Sequence, residues 1–551
     1  MQSPICLRCL KRSLVPIEAS LPAHPAAFST TASLSANPPK KKPAVARPTQ
    51  HTGKSLRLAR NTRVATSRPP APGERKALRK RVVLSNTNAL EVHGLQDLKK
   101  ENSDAKSLAS LQGQVLGFTN ESVDALRALE GFKPTQGWSL FRRPATVVRK
   151  ETIELVELLE KVAADQPRHV ERRVICGDRS SGKSVLMLQT MAIAQMKGWL
   201  LLHFPEARDV TIGHTFYHPE RAADGKIIYV QPQYTAQLLG NFVKANRTTL
   251  ARLRLSRPHK LPVPVQSSAS LDQFAELGAH DPELAWPVWK ALMIELTAPS
   301  NDDHDGHRRP PILITADGVD HFMRESAYLD AEARPIHAHD LALVRDYMHF
   351  LSGDTVMPNG GMTLAATSGS TKPTVPTLDH YLEAKEAEGH VPFLQGLRDG
   401  LLNIATEAKR SGQNARDVDF GSLHEHLAAN LPQSLQDQYH HLIRSIGRLH
   451  TDSTYTLDTL ISTLEAYEPK TPQWNPYMAQ DTRVAQVMRN AGVQKVHGLS
   501  KAEARGVMEY YALSGMVRGS VTAGLVSERW TLAGSGNIGE LEKAVVRHRV
   551  L

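Results

Sequence analysis

Between residues 173 and 368 the chain carries short, unbroken apolar runs separated by longer and more polar segments. Arg173-Val174-Ile175-Cys176, Leu200 to Phe204, Lys226 to Val230, Ile312 to Asp317 and Met362 to Ser368 each have the length of a strand. Runs without polar alternation suit strands covered on both faces, as in a parallel sheet. Val185 to Lys197 reads differently: Val185, Leu186, Leu188, Met191 and Ile193 recur at helical spacing, and Gly198 stops the helix. Together the first two runs and this helix predict a strand–loop–helix–strand unit. From about residue 380 the pattern becomes mainly helical, and a boundary is expected there. Ser500 and Glu503 form a capping box for a helix running through Val507, Tyr510, Tyr511 and Leu513 to Gly515. Short strands are expected near Met516-Val517 and over Arg529-Trp530-Thr531-Leu532. A turn and a new helix start follow at Ser535 to Leu541. That order is compatible with a winged-helix-like module.

The loop inside the predicted unit carries the chemistry. Residues Gly177 to Ser184 read G-D-R-S-S-G-K-S, a complete phosphate-binding loop placed between a strand and a helix as the motif requires. Gly177 and Gly182 let the backbone curl so that successive N–H groups face phosphate oxygens. The candidate nucleotide-binding residues are Gly177, Asp178, Arg179, Ser180, Ser181, Gly182, Lys183, Ser184 and Val185, the last opening the helix. Lys183 would reach the β- and γ-phosphates, the Ser184 hydroxyl would ligate Mg²⁺, and the helix N-terminus adds partial positive charge.

Ile312 to Asp317 ends in an acid, so a buried strand would deliver Asp317 to its carboxyl end as the second candidate Mg²⁺ residue, opposite Ser184. ATPases of the AAA+ type usually place a Glu next to that Asp to polarise the attacking water. Here Gly318 follows, and Asp320 is displaced and shorter, so little or no hydrolysis is expected. Thr367 or Ser368 could contact the γ-phosphate; a local hydroxyl hydrogen bond at a strand end is the competing reading. The base is not legible. No [NT]-K-x-D motif is present, which argues against a Ras-like fold and leaves GTP, GDP and ATP open.

Composition bounds the rest. Two or three compact units are expected from 551 residues. Three cysteines cannot build a disulfide framework, and no apolar stretch is long enough to span a bilayer, so no membrane association is expected. The formal charge of +11 is concentrated near the N-terminus, where residues 40–81 hold fourteen Lys and Arg against the single Glu74. The remainder beyond residue 81 is slightly acidic. Residues 1–39, with Arg8, Lys11 and Arg12, many Ser, Thr and Ala and one acid, read as a mitochondrial transit peptide. Residues 40–85 read as a basic disordered extension suited to polyphosphate. The expected organisation continues with an N-terminal region at 86–150, a phosphate-loop core at 151–380 and a helical, winged-helix-like region at 381–551. His440-His441 and the other histidines lack metal-ligand spacing.

These features together resemble the death-associated protein 3 family of the mitochondrial small ribosomal subunit. The match is carried by the import signal with its basic extension and by Phe132-Lys133-Pro134-Thr135-Gln136-Gly137-Trp138 followed by Leu140-Phe141-Arg142-Arg143-Pro144. G-D-R-S-S-G-K-S, Asp317-Gly318 and Ser535-Gly536-Asn537-Ile538-Gly539-Glu540-Leu541 complete it. The resemblance implies an α/β fold with an AAA+-like P-loop NTPase core and a bound guanine nucleotide with Mg²⁺. It also implies contacts with small-subunit rRNA, ribosomal proteins and the intersubunit face, in the mitochondrial matrix. The competing reading is an active AAA+-type ATPase that remodels a partner or loads onto nucleic acid.

Overall fold

The computed structural model describes residues 82–164, 169–266, 268–300, 308–412, 433–452, 454–517 and 519–546. The expected transit peptide, and the basic extension up to residue 81, lie outside the described residues.

At the centre is an all-parallel five-stranded sheet built from β1 (Val170–Gly177), β2 (Leu200–Phe204), β3 (Ile312–Asp317), β4 (Gly361–Ala366) and β5 (Gly492–Val496). Its order is β5-β1-β4-β3-β2. Strands β1 to β4 lie where the apolar runs place them. Every residue of β3 and β4 is buried, as the unbroken runs require. Alternate side chains divide between two cores. Val174, Leu200, Leu202, Ile312, Ile314 and Ala365 face one layer of helices. Ile175, Leu201, Leu313, Met362, Leu364 and Ala366 face the other. Each fully buried Val, Leu, Ile or Met side chain contributes roughly 1.5–3 kcal/mol.

Strand β2 closes one edge, and that edge is blocked by a side chain. Asn246, on helix Pro232–Leu250, accepts from Leu201 N and donates to Leu201 O, both at 2.8 Å. A buried amide thus takes the place of a further strand.

Several expectations change. The run at 226–230 forms Ile227–Val230, which pairs antiparallel with His218–Arg221 outside the parallel sheet. Residue 380 falls within a continuous helix, Pro376–Arg410, and β5 returns from the C-terminal region to pair with β1. Leu394, Leu401, Leu442 and Leu460 form a separate helical cluster.

The winged-helix-like expectation is corrected. Met516 and Val517 form no strand, and Arg529–Leu532 lies in helix Ala523–Leu532. A four-residue segment is too short to distinguish the two periods, and tertiary contacts decide it. The Thr522 hydroxyl caps Leu525 N, Val526 is buried, and Trp530 Nε1 donates to Leu499 O at 2.6 Å. Helices Lys501–Leu513, Ala523–Leu532 and Ile538–Val545 share a core with the N-terminal region, where Phe141 stacks on Tyr511. The Ser500–Glu503 capping box is present as expected. Among the described residues no helix is long and apolar enough to cross a membrane.

Candidate functional site

Register gathers the predicted residues at one edge of the sheet. Ala366 pairs with both Ile175 and Asp317, and Val496 pairs with Gly177, so β1, β3, β4 and β5 all end at the same level. This is the edge at which open parallel sheets bind ligands.

The loop after β1 has the curl its glycines predict. Ser180 and Gly182 adopt left-handed φ of 62° and 100°. Gly177 must be glycine because a Cβ there would lie 2.5 Å from Val496 O of the neighbouring strand. Helix Lys183–Met196 starts from Gly182. Lys183 Nζ donates to the carbonyls of Gly177 and Asp178 at 2.7 and 2.8 Å. Burial lowers its pKa, opposed by the fields of Asp317, Cys176, Asp178 and Asp320. Ser181 Oγ is buried without a hydrogen-bond partner. Asp178, Arg179 and Ser180 are exposed, whereas Ser184 and Val185 are half-buried at the helix start. A left-handed loop backbone, an inward lysine and an unsatisfied hydroxyl fit a phosphate group.

Asp317 is only 4% exposed. Its carboxylate is ion-paired with the ammonium of Lys133, which comes from the N-terminal region. Gly318 follows at a φ of 83°, a left-handed conformation that side chains rarely adopt, and it offers no carboxylate next to Asp317. Asp320 is fully buried; its Oδ1 accepts from Ser368 N at 2.5 Å, and Oδ2 has no partner. Burial pushes its carboxyl up to about 6. Thr367 donates its N–H to Ile175 O at 2.9 Å, and its Oγ1 lies 3.4 Å from the same carbonyl. Its hydroxyl is therefore turned to β1. Gly369 comes closer to the loop, with its would-be Cβ 3.2 Å from Arg179 Cα and 3.6 Å from Lys183 Nζ.

Three further residues complete the wall and were not singled out by spacing. Arg149 donates to Ser181 O at 2.7 Å, to His497 O at 2.6 Å and to Glu151 at 3.2 Å. It thereby fastens the phosphate loop to the chain leaving β5. Asn537 Nδ2 donates to Arg179 O at 2.9 Å, and Gly539 N to Ser180 O at 3.1 Å. The Ser535–Leu541 motif quoted from the sequence is thus a turn packed against the outside of the loop. Only that motif offered a sequence signal; a lone arginine before a helix offers none.

Among the described residues no group of three or more His, Cys, Asp or Glu side chains is placed to hold a metal ion. A groove of about 400 Å³ lies between residues 92–96 and helix Lys501–Leu513, and its walls carry none of the predicted site residues.

A family model described as "Mitochondrial ribosomal death-associated protein 3" matches residues 146–412 and 434–544. The chain is 34% identical to "Small ribosomal subunit protein mS29" of Neurospora crassa over 553 residues, covering 99% of this chain and 98% of the relative. It is 23% identical to the Bos taurus protein of the same description over 258 residues, covering 45% of this chain and 60% of that protein.

Proposed function

This chain belongs to the mitochondrial ribosomal death-associated protein 3 family, and we propose that it is a structural component of the small subunit of the mitochondrial ribosome. In that setting it carries a guanine nucleotide and turns it over slowly or not at all. The ribosomal part is supported by likeness to the Neurospora crassa protein along nearly the whole of both chains. Small-subunit rRNA and neighbouring ribosomal proteins are the partners this implies, with the intersubunit face as a further contact.

The nucleotide part is carried by one observation: a curled loop from Gly177 to Ser184 whose lysine is turned inward beside Asp317. Backbone N–H groups of the loop, Lys183 and Ser184 would hold the phosphates, and Asp317 stands across from them. An AAA+-like reading of the core is supported by the strand order, which inserts β4 between the loop strand and the Asp317 strand. Weak turnover is supported by Gly318, which has no side chain to polarise a water, and by Asp320, held by Ser368.

The test is sedimentation of gently lysed mitochondria through a salt wash, followed by chromatography of nucleotide extracted from the small-subunit fraction. Co-migration with stoichiometric guanine nucleotide, lost in Lys183→Ala, is expected. Migration as a free chain or ring-sized oligomer would overturn the ribosomal reading. Co-migration without extractable nucleotide would overturn the nucleotide reading alone.

A further inference from the structure

Lys183 and Lys133 both stand at the phosphate-loop edge of the sheet, and of these Lys183 alone belongs to the motif. Lys183 is engaged by the loop's own carbonyls. Asp317 is met instead by Lys133, from a turn that precedes β1.

That turn is rigidly built. Glu130 adopts a φ of 57°, and its carboxylate accepts from Gln237 Nε2 at 2.8 Å. Gly131 lies so close to the loop helix that a Cβ would sit 3.1 Å from Leu188 and 3.4 Å from Met191. Phe132 packs edge-on against Trp138 with ring centroids 5.2 Å apart. Gln136 Oε1 accepts from both Lys133 N and Trp138 Nε1, at 2.9 and 2.5 Å. The backbone of Lys133 is therefore fixed before its side chain is placed. Its side chain keeps 26% exposure while the Asp317 side chain keeps 5%. Lys133 is thus the more exposed half of the pair.

An ammonium held by a fixed turn competes with a free divalent cation at the local concentration its tether imposes. We propose that Lys133 is a built-in cation of the phosphate site, neutralising Asp317 in place of a metal, so that the chain holds a nucleoside diphosphate with little dependence on Mg²⁺. This rests on the nucleotide reading above and assigns Asp317 a tethered partner within the chain.

The experiment titrates the purified full chain with a fluorescent GDP analogue, in excess Mg²⁺ and in EDTA, for wild type and Lys133→Met. Chelation is expected to change the wild-type Kd by less than about threefold and that of Lys133→Met by more than about tenfold, because removing the ammonium leaves Asp317's charge facing the phosphates. Mg²⁺ without nucleotide should raise the thermal midpoint of Lys133→Met and leave the wild type unmoved. A wild type that loses tenfold affinity in EDTA would overturn the proposal, whether or not the variant folds. Equal Mg²⁺ dependence in both proteins would do the same, with nucleotide binding intact. A wild type that binds no nucleotide in either buffer would overturn the nucleotide reading and this inference with it.

Discussion

The amide of Gly539 donates to the carbonyl of Ser180 at 3.1 Å, joining the start of the last described helix to the crest of the phosphate loop. A Cβ at 539 would stand 2.4 Å from Ser180 Cβ and 3.1 Å from Ser180 O. Gly539→Val should therefore push the turn off the loop, with a loss of about 1–3 kcal/mol from overpacking. Denaturant midpoints of the purified chain measure this, and nucleotide affinity should fall alongside. An unchanged midpoint would mean that the turn does not press on the loop in solution.

Arg149 is 4% exposed and bonds the loop, the end of β5 and Glu151 at once. Arg149→Met would strand the buried Glu151 carboxylate and two carbonyls, at a cost of roughly 3–5 kcal/mol. Arg149→Lys should recover only part of this, since an ammonium lacks the planar fork that reaches three acceptors. Full rescue by lysine, seen as a wild-type unfolding curve, would reduce the role of Arg149 to its charge.

Burial pushes the His203 imidazole down to about 4, where it bonds the Thr315 hydroxyl at 2.7 Å. The unfolded chain takes up this proton near pH 6.5. The group's stabilising contribution is therefore complete above that pH and is lost as pH falls toward 4, by at most about 3 kcal/mol. Asp346 acts in the opposite direction. Burial pushes its carboxyl up to about 6, so its contribution is present at low pH and is lost as pH rises to that value. The wild-type slope is a sum of such groups, and His203→Gln isolates one of them. Urea unfolding at several pH values should give a variant whose stability falls less on acidification; parallel curves would show that His203 does not titrate with folding.

Cys176 is the penultimate residue of β1, 7% exposed, with its thiol pushed up to about 11 by burial. Alkylation at mildly alkaline pH should be slow there and should speed up in proportion to the unfolded fraction. Peptide mass spectrometry separates it from Cys6 and Cys9. Rapid labelling of the native chain at Cys176 would reveal local opening of β1 against β5.

Strands β2 and β3 are found at the residues their apolar runs mark, and β4 and the loop helix lie within two residues of expectation, because burial on both faces leaves a run without interruption. Strand β5 gave no such signal: Gly492–Val496 is mostly half-buried at the sheet edge, and its pairing with β1 spans more than three hundred residues. Arg529–Leu532 carries residues favoured in strands, yet packing of Val526 and Trp530 made it helical. The motif residues of the loop were legible because local geometry demands them. Lys133 and Arg149 were not, because the partners that give them meaning lie far along the chain.

The turn at 535–540 stands against a loop that precedes it by some 350 residues. A polypeptide delivered N-terminus first, from a ribosome or through an import pore, presents G-D-R-S-S-G-K-S long before that backing arrives. For most of its delivery the motif is spelled but unsupported. If the loop binds as proposed, a tightly held ligand would certify that the distant turn has been delivered and docked, and a chain broken off upstream of it would betray itself by an empty loop.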